Sequence, residues 1–153
     1  MNIHKKKLIE DFSNHFETNY NFPPLTSKVY SYLLMDCKRE GTTFDKLMEV
    51  FQASKSSISN SLNFLTQLKY IEHFSQLNDR KRLYRASSGT ILVRLEKIYE
   101  ILLVEKKLAS NFREYVLEEI EDVDPLSIEK SNIYLDHLDQ SIEHLSKTIE
   151  KLK

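Results

Sequence analysis

The sequence predicts a mainly α-helical chain with one small β-hairpin, and three observations predict it. Gly occurs twice and Pro three times in 153 residues, while charged residues make up 29% and apolar residues 41%. Such a composition suits ordered helices around a core and excludes collagenous, prion-like and linker-rich chains. Apolar side chains recur at three- and four-residue spacing through most of the chain, the period of helices with one buried face. Only residues 70–87 change period, to short runs rich in aromatic and β-branched residues around a polar turn, which is the pattern of a two-stranded hairpin. A chain of this length is one domain, or one domain with an extension.

Leu8, Ile9, Phe12 and Phe16 place a first helix over residues 4–20, ending before Pro23-Pro24. Proline cannot continue a helix but is pre-set for a first turn, so a second helix starts there. It carries Leu25, Val29, Tyr32 and Leu33 inward and stops near Arg39, ahead of Gly41. Thr42 or Thr43 is an N-cap for a short helix, FDKLMEVFQ, that buries Phe44, Leu47, Val50 and Phe51. Ser54 caps the next helix, residues 54–69, which begins SKSSISNSLNFLTQL. Five of its first eight residues are Ser, all weak helix formers, yet Ile58, Leu62 and Leu65 share one helical face. YIEHFS and RLYRAS form the hairpin around Asn78-Asp79. Gly89 opens a long helix to about residue 121, which Asp124-Pro125 breaks, and Ser127 caps a final helix.

In that final helix Ile128, Leu135, Ile142 and Ile149 stand seven apart, and Leu138, Leu145 and Leu152 fill the alternate position, with only Ser131 departing. A strict seven-residue repeat is a narrow seam for another helix. It predicts a dimerisation helix using Leu135, Leu138, Ile142, Leu145, Ile149 and Leu152. The alternative is an antiparallel pairing with the preceding long helix of the same chain.

The net charge of −1 conceals a division. Residues 54–86 hold six cations (Lys55, Lys69, Arg80, Lys81, Arg82, Arg85) against Glu72 and Asp79, whereas residues 114–150 hold eleven carboxylates against Lys130 and Lys147. One region suits a polyanion and the other avoids it.

Two short helices joined by a tight turn and followed by a two-stranded ribbon make a winged helix-turn-helix, whose second helix enters the major groove of DNA. That position explains the serines, because small side chains allow close approach and their hydroxyls reach phosphates and base edges. Ser54, Lys55, Ser56, Ser57, Asn60 and Ser61 on the helix, with Arg80, Lys81 and Arg82 on the hairpin, are the candidate DNA contacts. Asp79 is read as a turn residue, since a carboxylate facing phosphate would repel it. The chain is therefore divided into residues 1–88, a winged helix-turn-helix DNA-binding domain with an N-terminal helix, and residues 89–153, a helical dimerisation region.

The runs FPPLTSKVYSYLL, TFDKLMEVFQASKSSISNSLNFLTQLKYIEHF and NDRKRLYR, spanning residues 22–86, resemble the MarR-type winged-helix transcription regulators. The resemblance is nearest to their glycine-betaine-regulator-like branch, where similar FPP, ASKSSIS and DRKR runs occur. It implies a homodimer on a pseudo-palindromic double-stranded DNA operator, usually as a repressor, with the Ser-rich helix as reader and the hairpin as wing. That branch includes sensors of quaternary amines, which aromatic cages hold through cation–π contact. Phe12, Phe16, Tyr20, Phe22, Tyr30 and Tyr32 have the spacing a core requires, so no ligand site is assigned and any small-molecule effector is left unnamed.

Catalysis is not expected. The five histidines are scattered, no HExxH or paired-carboxylate site is present, and two glycines make no phosphate loop. No cofactor or metal is expected. The single Cys37 lies in an apolar run and is read as a buried thiol in a reducing cytoplasm. No run of membrane-spanning length occurs. The alternative function is a winged-helix adaptor between proteins, which would have no need of Lys55, Arg80 and Arg82.

Overall fold

The computed structural model describes residues 1–153, which form two compact units, Met1–Thr90 and Ile91–Lys153. In the first, helices α1 (Ile3–Tyr20), α2 (Pro24–Leu34), α3 (Phe44–Phe51) and α4 (Lys55–Gln67) accompany strands β1 (Thr42–Thr43), β2 (Ile71–Ser75) and β3 (Arg82–Ala86). Local chemistry sets the helix ends. The Asn2 side chain caps the His4 N–H at 2.8 Å and the Thr43 hydroxyl caps Lys46 at 3.2 Å. Asn21 and Gln52 close α1 and α3 in left-handed conformations, and Pro24 opens α2.

The core gathers Phe16, Phe22, Val29, Tyr30, Leu33, Leu47, Ile58, Leu62, Leu65, Tyr70 and Ile71. Phe16 lies 4.9 Å from Tyr30 between ring centroids, and Tyr30 and Phe22 meet Tyr70 edge to face at 5.2 and 5.3 Å. Aromatic pairs in such geometry add to the burial of their area. Phe16, Phe22 and Tyr30 are thus core residues. On α2 the fully buried aromatic is Tyr30, while Tyr32 is only partly covered and stacks edge-on to Phe51. On α1, Ile9 and Phe16 are buried but Leu8 and Phe12 are exposed.

Two expectations around α2 are corrected. The helix ends at Leu34 and not near Arg39, because the Asp36 carboxylate accepts the backbone N–H groups of Glu40 and Gly41 at 3.3 and 2.7 Å and turns the chain early. Cys37, expected to be buried, sits in that turn and is exposed. Gly41 therefore does not end a helix. It enters β1 at φ +81°, where an added Cβ would lie 2.9 Å from the Leu83 Cβ and 3.0 Å from the Phe74 ring.

The hairpin is also larger than expected. Thr42 and Thr43 pair with Tyr84 and Leu83, giving a three-stranded antiparallel sheet in the order β1-β3-β2. The long register is β2 on β3, from Ile71 opposite Ala86 to Ser75 opposite Arg82.

The second unit contains most of α5 (Thr90–Glu119) and all of α6 (Pro125–Leu152). Asp124, not Ser127, caps α6, accepting the Leu126 N–H at 3.1 Å with Pro125 in the first turn. Cross-links between α5 and α6 run in opposite senses. Arg113 Nε donates to Asn132 Oδ1 at 2.8 Å, and Lys106 pairs with Asp139. Tyr134 donates to Glu105, and that hydrogen bond holds its hydroxyl pKa above the ordinary phenol value. The helices are therefore antiparallel within one chain.

This pairing revises the seven-residue seam. Leu138 and Ile149, assigned to dimerisation, are 2% and 6% exposed within a single chain and have no surface left for a partner. Leu135, Ile142 and Leu145 are half-buried, and Leu152 is exposed. The repeat is indifferent to whether its partner helix comes from the same chain or another. No helix is long and apolar enough to cross a membrane.

Candidate nucleic-acid interface

Helix α4 is built from weak helix formers and held by its inner face, since Ile58, Leu62 and Leu65 are almost wholly buried. At its start the Ser54 hydroxyl accepts the Ser57 N–H at 3.2 Å and lies 2.8 and 3.2 Å from the hydroxyls of Ser57 and Ser56. Lys55 and Ser56 are exposed there. Backbone N–H groups at a helix start, with hydroxyls and an ammonium around them, suit a phosphate.

Along the outer side, Ser56, Asn60, Asn63 and Gln67 follow one another at helical spacing and are all exposed, while Ser57 and Ser59 are half-buried beside them. Asn63 and Gln67 are absent from the sequence-derived set, although the four-three-four step from Ser56 points to them. Amide side chains on that face have the donor–acceptor pair that matches the major-groove edge of adenine.

Ser61 does not belong to this face. It is 4% exposed and accepts a hydrogen bond from Thr26 Oγ1 at 3.0 Å, joining α4 to α2. Three residues beyond Ile58, it lies on the apolar side of the turn, so its expected role as a DNA contact is withdrawn. Ser61→Ala is expected to lower folding stability by about 1–3 kcal/mol, because it leaves Thr26 without its buried partner. Urea unfolding monitors the loss, and DNA sequence preference should not change.

The wing begins beyond α4. Residues 76–79 make a turn closed by the Asp79 N–H on the Gln76 carbonyl at 3.0 Å, and Asp79 Oδ1 accepts the Lys81 N–H at 3.0 Å. Asp79 is therefore a turn residue. Arg80, Lys81 and Arg82 are all exposed; Lys81 lies 3.7 Å from Asp45 across solvent, while Arg80 and Arg82 have no carboxylate partner. Arg85 stands apart from this group. Its Nε meets Glu72 Oε1 at 2.7 Å, Arg39 meets the same oxygen at 2.8 Å, and the Arg85 guanidinium lies 4.3 Å from the Phe74 ring centroid. Glu72 faces Arg85 directly across the strands, so this pair braces the base of the wing.

No family model matches the sequence, and no curated protein matches it. Solved structures do. The crystal structure of a transcriptional regulator matches with a TM-score of 0.60 and 18% identity, over 97% of this chain and 97% of that one. The fold is shared with a transcriptional regulator. Weaker likenesses, at TM-scores of 0.45 and 0.43, join it to two other structures. One is MepR, a transcription regulator of the Staphylococcus aureus multidrug efflux pump MepA, at 14% identity over 92% and 93% of the two chains. The other is a MarR/EmrR family regulator from Acinetobacter sp. ADP1, at 17% identity over 91% and 89%. At such identities the likeness is one of fold, and the chemistry of the interface rests on the residues above.

No group of three or more His, Cys, Asp or Glu side chains is placed to hold a metal ion. The exposed surface of α4 and the wing offers hydroxyls, amides and cations, with the exposed side chain of Leu77 in the wing turn.

Proposed function

We propose that the protein is a sequence-specific regulator of transcription that binds double-stranded DNA as a homodimer, of the MarR type that its sequence resembles. Helix α4 lies in the major groove and the wing follows the backbone into the neighbouring minor groove. Occupying a promoter in this way excludes other proteins from it, so repression is the expected output. The observation that carries the reading is the outer face of α4. It has no large apolar and no acidic side chain from Lys55 to Gln67, and its exposed positions are Ser, Asn, Thr, Gln and one Lys. An adaptor that gripped another protein would present a large apolar or aromatic anchor there.

Within this reading Lys55, Ser56 and the start of α4 hold phosphate, Asn60 and Asn63 read bases, and Arg80, Lys81 and Arg82 lie along the wing-side backbone. Ser54 acts through the cap it makes. Asn60→Ala is expected to change preference at particular operator positions by about 1–3 kcal/mol and to leave the others alone. Comparing the duplexes that wild-type and variant proteins enrich from one random pool tests this. Identical preferences would place base reading elsewhere on the molecule.

Dimerisation is assigned chiefly to α5. Ile101, Val104, Leu108, Phe112 and Tyr115 recur at helical spacing and are each more than half exposed. With Tyr134 of α6, four of them border an open groove of about 670 Å³. A contiguous apolar stripe of this kind is uncommon on a monomer, and a second copy of the same stripe across a two-fold axis covers it. Leu152 remains available at the end of α6.

A further inference from the structure

The wing tip carries a side chain that neither folding nor charge explains. Leu77 is the second residue of the turn closed by Asp79 on Gln76, and at 104% relative exposure it is the most exposed large apolar side chain in the chain. Tight turns favour Pro, Asp, Asn, Ser and Gly at their positions for backbone reasons, and Leu offers none of these. Its side chain touches nothing that stabilises the hairpin, and its apolar surface stays hydrated until a partner covers it. The partner's sign is set by the neighbours. Arg80, Lys81 and Arg82 follow within five residues; of the two nearby carboxylates, Asp79 accepts the Lys81 N–H through Oδ1 and Asp45 lies 3.7 Å from the Lys81 ammonium, which leaves Arg80 and Arg82 without a carboxylate partner.

An apolar tip ringed by cations fits the minor groove of DNA, where apolar wedges part a base step while flanking cations hold the phosphates on either side. We propose that Leu77 is such a wedge, partly unstacking one base step under each wing and bending the duplex there. This rests on the preceding assignment of the hairpin as the DNA-binding wing, and it adds sequence preference at a position that no hydrogen bond reads. Pyrimidine–purine steps, the easiest to unstack, are the preferred sites.

Duplexes enriched from a random pool by the wild-type protein, footprinted to locate the wing, supply the probe: 2-aminopurine is placed in the step beneath it. Wild-type protein should raise 2-aminopurine fluorescence on binding. Leu77→Ala should abolish that rise and weaken binding by about fivefold to tenfold. Leu77→Met should keep both properties, and Arg80→Ala should weaken binding while leaving the rise. Circular dichroism of each variant confirms the fold, which an exposed turn residue does not support. If wild-type protein binds its selected duplex with no fluorescence rise, or if Leu77→Ala binds and unstacks as wild type does, the wedge is excluded and the DNA-binding reading stands. If wild-type protein enriches no duplex, the wing assignment fails first and the wedge with it.

Discussion

Leu108→Asp combined with Phe112→Asp is expected to turn a dimer into a folded monomer and to lower affinity for a two-half-site duplex by about a hundredfold or more. The two side chains are 64% and 67% exposed, so the chain's own packing does not depend on them. Burying each against a second copy contributes about 1.5–3 kcal/mol. A carboxylate on the same stripe reverses that gain and adds the cost of desolvating a charge. Sedimentation equilibrium reads the association state and circular dichroism reads the helices. A dimer that survives both substitutions would move the interface off α5. The contrasting variant is Leu138→Asp. At 2% exposure Leu138 is enclosed within one chain, so a charge there is expected to disrupt α6 itself, with loss of helicity before loss of dimer.

The second large effect is on the wing. Arg80→Ala with Arg82→Ala should weaken binding to every DNA sequence alike, by tenfold to a hundredfold at about 0.1 M salt, and should reduce the slope of log affinity against log salt by about two. Both arginines are exposed and neither has a carboxylate partner, so their charges are open to phosphate. An unchanged slope would remove the wing from the interface. Arg85→Ala is the internal comparison: its guanidinium already meets Glu72 and Phe74. Its loss should be felt in the seating of the wing and in hairpin stability, by about 1 kcal/mol for a half-buried pair that solvent still screens, with little change in salt slope.

Periodicity made most of the fold legible. The helices around Phe16, Val29, Leu47, Ile58 and Leu138, and the hairpin at 71–86, follow from three-four and two-residue repeats that few alternatives share. What periodicity could not reach was set by single side chains. Asp36 folds its carboxylate onto two backbone N–H groups and ends α2 five residues early, exposing Cys37. A two-residue strand at Thr42–Thr43 is too short to carry a pattern. Ser61 looks like its neighbours by residue type, yet its three-residue offset from Ile58 puts it with the core and Thr26. Conversely, Asn63 and Gln67 continue the exposed face and were recoverable from spacing alone. The seven-residue repeat in α6 was real but silent on its partner, because a helix seam records the shape of what it meets and not the chain that helix belongs to.

The most direct measurement is selection of duplexes by the protein from a random pool, followed by footprinting of the enriched sequence. The account predicts an inverted repeat whose half-sites lie one helical turn apart or a multiple of it, about 10–10.5 bp per turn, with protection in the major groove of each half-site and in the flanking minor groove. A pool that stays random after repeated rounds, at salt low enough to favour phosphate contacts, would contradict it.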